Sequence, residues 1–246
     1  MDYSLKTLIF KSSIFVMAFS LILSFYCIGF GILFSNLETA RAVATASEPR
    51  DRKCLLIDPG HGGEDGGTVG VNGILEKDLN LSLSEVLGVV LEFSGYEIVQ
   101  TRNEDKMLYD RNVNYKGRKK MLDLKGRLEI AQNINPDLFI GIHMNAFPEE
   151  KYSGLSVYYS KNHTKSKDAA ETIRSNIKSA LQPQNNRETK AASSNIYILD
   201  RITCPAILVE CGFLSNPEEC KKLSSYDYRR ELSFVLYSSL VSFLEE

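Results

Sequence analysis

The chain has 246 residues, with 29 Lys and Arg against 31 Asp and Glu, for a formal net charge of −2. That balance provides no basic field for nucleic acid, and the scattered Lys and Arg runs read as solvated surface. The five cysteines, Cys27, Cys54, Cys204, Cys211 and Cys220, contain no C-x-x-C pair and fix no disulfide pattern, so they read as small core residues.

The first part of the chain is not globular. Lys6 and Lys11 precede an uncharged apolar run over 12–34, long enough to cross a bilayer as a helix. Ala40-Arg41-Ala42, Ala42-Val43-Ala44 and Ala44-Thr45-Ala46 resemble signal-peptide cleavage sites. Residues 1–36 are therefore a membrane anchor or a signal segment, and both put the remainder outside the cytoplasm. Residues 37–52 read as a linker, and 53–246 has the size of one domain.

Within that domain the segments alternate as in an α/β fold, a twisted and mostly parallel sheet flanked by helices. Leu55, Leu56 and Ile57 form a buried strand that stops at Asp58-Pro59-Gly60, followed at once by His61 in a glycine-rich loop. Glycines suit a loop whose backbone passes close to a ligand. Residues 77–93 read as a helix burying Leu79, Leu83, Val86, Leu87 and Val90. Residues 96–101 read as a strand, 103–119 as a polar loop and 122–133 as a helix ended by Asn135-Pro136. Residues 138–142 form a second apolar strand, ending at His143. A strand over 154–160, an amphipathic helix over 166–181 and two short strands over 196–199 and 206–209 follow, the last ending at Glu210. Pro217 opens a short helix, and 228–244 closes the domain as a helix.

Strand ends thus deliver His61, His143 and Glu210, while Glu76 begins the helix after the glycine loop. Two imidazoles and a carboxylate form a catalytic zinc set that leaves a position for water. Such a site suits amide hydrolysis, with a further carboxylate, here Glu210, to move the proton. Spacing this wide does not decide the matter: H-E-x-x-H is absent, and Glu76 would also suit a helix N-terminus as a charge. Glu64 and Asp65 read as supporting or solvated groups and His163 as surface. Gly60-His61-Gly62 lacks the third glycine of a phosphate cradle. Cys211 has no basic neighbour in sequence and reads as structural rather than nucleophilic.

Four stretches carry a resemblance: Asp58-Pro59-Gly60-His61-Gly62-Gly63; Gly73-Ile74-Leu75-Glu76-Lys77; Ile142-His143-Met144-Asn145-Ala146; and the run from Pro205 through Glu210-Cys211-Gly212-Phe213 to Asn216. Together, and in this order, they resemble the zinc-dependent N-acetylmuramoyl-L-alanine amidases of bacterial cell-wall remodelling. With an apolar leader and no wall-binding repeats, the chain is similar to the members that act on the spore cortex. The resemblance implies one Zn2+ held by His61, Glu76 and His143, with Glu210 as base and then acid. Peptidoglycan would be cut between N-acetylmuramic acid and L-alanine, a first step toward muramic-δ-lactam. Arg187 and Lys190 resemble a stretch bordering the groove and are candidate substrate contacts. Residues 147–154 leave no room for the helix that plugs the site in some relatives. With no wall-binding repeats, targeting falls to the leader, the compartment or an accessory protein partner. A zinc peptidase trimming stem peptides and a catalytically degenerate wall-binding or partner-regulating module are the alternatives; the four intact site residues argue against the second.

Overall fold

The computed structural model describes residues 51–109, 112 and 117–245, so the expected anchor over 1–36 and most of the linker lie outside the described residues. Among the described residues, no helix is long and apolar enough to cross a membrane.

The sheet is built on β1 (Cys54–Pro59), every residue of which is buried. An unbroken apolar run is what a parallel strand covered on both faces requires. β1 pairs in parallel with β2 (Glu97–Gln100) and with β3 (Leu138–Asn145), and β3 pairs in parallel with β6 (Ala206–Phe213). β4 (Ser156–Tyr159) runs antiparallel to β6 and parallel to the two-residue β5 (Lys190–Ala191). The order is β2-β1-β3-β6-β4-β5, so the expected mostly parallel sheet is present.

Six helices complete the fold among the described residues: α1 (Glu76–Phe93), α2 (Lys119–Ile134), α3 (Lys165–Ala180), α4 (Tyr197–Arg201), α5 (Pro217–Ser224) and α6 (Tyr226–Glu245). Helix α1 buries Leu79, Leu83, Leu87 and Leu91 against the sheet, with Glu76 and Asp78 in its first turn, where the helix dipole favours acids. Val86 and Val90 lie at the margin of this stripe rather than within it. Gly95, at φ 93, closes the helix in the left-handed conformation that glycine adopts at little cost.

Alternation along the strands sorts their side chains between two cores. Ile207, Val209 and Cys211 join the core under α1, α3, α5 and α6, while Ala206 and Leu208 meet the smaller core under α2 and α4. Glu210 falls on the second side, with Phe139, Gly141 and His143 from β3.

Three expectations need correction. Residues 196–199 are not a strand: α4 occupies Tyr197–Arg201, and Asp200 N donates to Ile196 O. A four-residue apolar run fits a buried helical turn as well as a strand, and periodicity cannot separate them. His143 and Glu210 do not end their strands either, since β3 continues to Asn145 and β6 to Phe213. They sit opposite each other in the ladder, just before a register shift. Side chains that project into a cavity leave main-chain pairing intact, so polarity does not mark the strand end here. β5, the exposed edge, was not expected at all.

Candidate active site and metal centre

β1 ends at Pro59, and the chain turns back so that Gly60 lies against the His143 ring. A β-carbon at Gly60 would stand 2.2 Å from His143 Cε1, so only glycine fits. His61 itself has φ 61, a left-handed conformation that few side-chain-bearing residues adopt. Gly67, at φ 68, brings the loop back over Glu76, where a β-carbon would meet Glu76 Oε2 at 2.6 Å.

These turns bring three of the expected residues together. Glu76 Oε1 lies 3.2 Å from His61 Nε2 and 3.1 Å from His143 Nδ1. The ligand atoms of all three lie within 4.8 Å of one another. Donors at 2.0–2.1 Å from a tetrahedral ion stand roughly 3.3 Å apart, so this nitrogen–nitrogen–oxygen set fits zinc. Glu76 is only 2% exposed. Its Oε2 accepts from Thr68 N at 2.9 Å, and its Oε1 from Met144 N at 3.1 Å and Asn80 Nδ2 at 3.3 Å. Asp65 Oδ2 approaches the other face of His61, 2.9 Å from Nδ1, though off the line of the ring N–H.

The electrostatics follow from these contacts. Burial opposes ionisation of Glu76, but His143 and His61 outweigh it and hold its carboxyl well below the usual carboxylate range. Burial likewise opposes charge on His61, yet Asp65 and Glu76 raise its pKa to about 9. Glu210 is different. Burial, with some repulsion from Glu76, pushes its carboxyl up, and its Oε2 is buried without a hydrogen-bond partner among the described residues. It faces a cavity of about 240 Å³ that His61 and His143 also line. Burial, then Glu210 and Glu76, push the Cys211 thiol far up, which removes it as a nucleophile.

Arg187 and Lys190 are not brought to this cluster. Arg187 stands over the Phe213 ring at 4.6 Å, and Lys190 is exposed on β5, in register with Tyr158.

Two buried arginines were not anticipated from the sequence. Arg102 donates to the carbonyls of Pro59, Gly60 and Lys77, each at 2.9 Å. Arg127 donates to Pro59 O at 2.7 Å, to His61 O, to Asp58 Oδ1 at 2.6 Å and to Asp123 Oδ2 at 2.8 Å. The carbonyls of residues 59, 60 and 61 thus all point at guanidinium groups, which holds the histidine loop in its strained form. The available signal was Arg127 lying among Leu124, Leu128 and Ala131, a charge on a helix's apolar stripe.

The profile of the N-acetylmuramoyl-L-alanine amidase family matches residues 55–240. The chain belongs to that family. The amidase is 31% identical over 200 residues to the germination-specific N-acetylmuramoyl-L-alanine amidase of Bacillus subtilis, covering 81% of this chain and 83% of the relative. The solved CwlD amidase of Clostridioides difficile, in complex with the GerS lipoprotein, matches with a TM-score of 0.75 and 36% identity, over 79% of this chain and 99% of that one. AmiC2 of Nostoc punctiforme, another N-acetylmuramoyl-L-alanine amidase, matches at 0.69 and 30%, over 80% of this chain and 100% of that one.

Proposed function

We propose that the amidase is a zinc enzyme that cuts the bond between N-acetylmuramic acid and L-alanine in spore cortex peptidoglycan, a first step toward muramic-δ-lactam. The observation that carries this reading is the meeting of His61, Glu76 and His143 beside a cavity faced by Glu210. The three would hold the ion. Zinc, when bound, would polarise the amide carbonyl and acidify water. Glu210 would take the proton from the attacking water and hand it to the departing alanine nitrogen, a task suited to a buried carboxylate of raised pKa.

Export and retention by the apolar run over 12–34 belong to the same reading. So does an accessory protein partner, supported by the complex in which the C. difficile relative was solved. Arg187 and Lys190 are proposed as substrate contacts. The test uses the full chain on purified cortex peptidoglycan, with new L-alanine amino termini quantified by mass spectrometry. Release that is stimulated by zinc and abolished by a chelator is expected. Release of C-terminal residues instead would indicate a peptidase, and bound zinc without release a wall-binding or partner-regulating module.

A further inference from the structure

One turn of α1 beyond Glu76 stands Asn80, fully buried on the face that also buries Leu79, Leu83, Leu87 and Leu91. A polar side chain in such a place destabilises the fold unless its hydrogen bonds are made. The acceptor half of this one makes none: Asn80 Oδ1 is buried without a partner among the described residues. The donor half is fully engaged. Asn80 Nδ2 donates to Gly60 O at 3.1 Å and to Glu76 Oε1 at 3.3 Å, one hydrogen for each acceptor. The amide is therefore seated for its donors, with its acceptor left over.

Both acceptors belong to the candidate metal centre. Glu76 Oε2 is held by Thr68 N at 2.9 Å, and Oε1 is the oxygen that faces His61 Nε2 and His143 Nδ1. Asn80 holds Oε1 from the helix, and Met144 N holds it from β3. Gly60 immediately precedes His61 and lies against the His143 ring. Arg102 also donates to the Gly60 carbonyl; Asn80 adds the tie from that carbonyl to Glu76. One primary amide thus connects the carboxylate to the turn that sets both histidines.

We propose that Asn80 is a positioning residue of the metal centre, its Nδ2 coupling the Glu76 oxygen that faces the histidines to the Gly60 turn, so that the three donor atoms keep the spacing an ion requires. The inference rests on the zinc reading above. Groups that hydrogen-bond to a metal-binding side chain fix its orientation and so its affinity for the ion. Neither a leucine nor an ionised aspartate of similar shape could supply the two donors.

The test uses the full chain, stripped of metal and then titrated with zinc against a competing chelator, alongside urea unfolding of the metal-free form. Asn80→Leu keeps the shape of the side chain and removes the unpartnered oxygen. It leaves Gly60 O its bond from Arg102 and Glu76 Oε1 its bond from Met144 N. The metal-free urea midpoint should therefore equal or exceed that of the unmutated protein, while the zinc dissociation constant should rise about 10–100-fold. With cobalt in place of zinc, the visible absorption bands should shift, because they report the donor atoms and their geometry. Asn80→Ser, whose hydroxyl is one bond shorter than the amide, should lose zinc affinity in the same way and serves if the leucine variant does not fold. Unchanged affinity in a folded variant would overturn the assignment. So would an affinity loss with an unaltered cobalt spectrum, or one matched by an equal loss of metal-free stability. An unmutated protein that takes up no zinc would instead overturn the zinc reading, and the role of Asn80 with it.

Discussion

Arg127, buried on α2, donates a hydrogen bond to the main-chain carbonyl of His61, 66 residues away in sequence. The same guanidinium pairs with Asp58 and Asp123, so one side chain joins the loop of His61, in the candidate metal cluster, to the strand before it and to a helix. Arg127, Asp58 and Asp123 are each nearly inaccessible to water.

Arg127→Met should therefore leave two buried carboxylates without their cation and release the carbonyl of His61, while Pro59 O keeps its bond from Arg102. Breaking a buried pair from one side costs about 3–5 kcal/mol. A loss of that size in urea unfolding is expected, with weaker zinc retention in the fraction that still folds. Unchanged stability would mean that water replaces the guanidinium at no cost.

The contrast between Arg127 and His61 explains what the sequence made legible. His61, Glu76, His143 and Glu210 stand beside long apolar strands or in short motifs, so local pattern located them. Arg127 and Arg102 act on carbonyls 66 and 42 residues distant. No local pattern names those partners: Arg127's place on an apolar stripe marks it only as buried, and Arg102, in a charged segment, reads as surface. Residues 196–199 failed for another reason, because four apolar residues fit a helical turn and a strand alike.

Gly60→Ala tests whether the cluster depends on one missing methyl group. The added β-carbon would lie 2.2 Å from His143 Cε1 and 2.3 Å from Nε2, and the imidazole would have to move. Expected are a native circular dichroism spectrum, zinc content well below one ion per chain by elemental analysis, and loss of amide hydrolysis. Full zinc content in the variant would show that the ring has room to shift.

The metal-free protein should show the charge state of His61. Its pKa of about 9, against 6.5 for a free histidine, arises because Asp65 and Glu76 outweigh burial. A raised histidine stabilises the fold fully below about 6.5 and loses that contribution as pH climbs through about 9. Zinc needs the ring nitrogen unprotonated, so uptake near neutral pH must displace about one proton from it. Chelator-stripped protein should therefore melt at lower temperature as pH rises across that window. Calorimetric heats of zinc binding should vary with the ionisation enthalpy of the buffer, and buffer-independent heats would contradict this assignment.

Glu210→Gln separates metal binding from proton transfer. The amide keeps the size of the side chain and lies outside the His61–Glu76–His143 cluster, so zinc content should be unchanged. It cannot accept the proton of an attacking water, so kcat should fall by roughly 10²–10⁴. Burial raises the carboxyl of Glu210, so the acid limb of kcat/KM in the unmutated protein should lie above the ordinary carboxylate range, because only the ionised form acts as base. That limb should disappear from the residual activity of the variant. If turnover survives and the limb stays, Glu210 is not the proton acceptor, and the base must be sought among the other carboxylates lining that cavity, Asp58, Asp65 and Asp123. Asp58 and Asp123 are paired with Arg127, and Asp65 with His61 and Lys120. Among the described residues, Glu210 alone of the four has a fully buried oxygen without a hydrogen-bond partner.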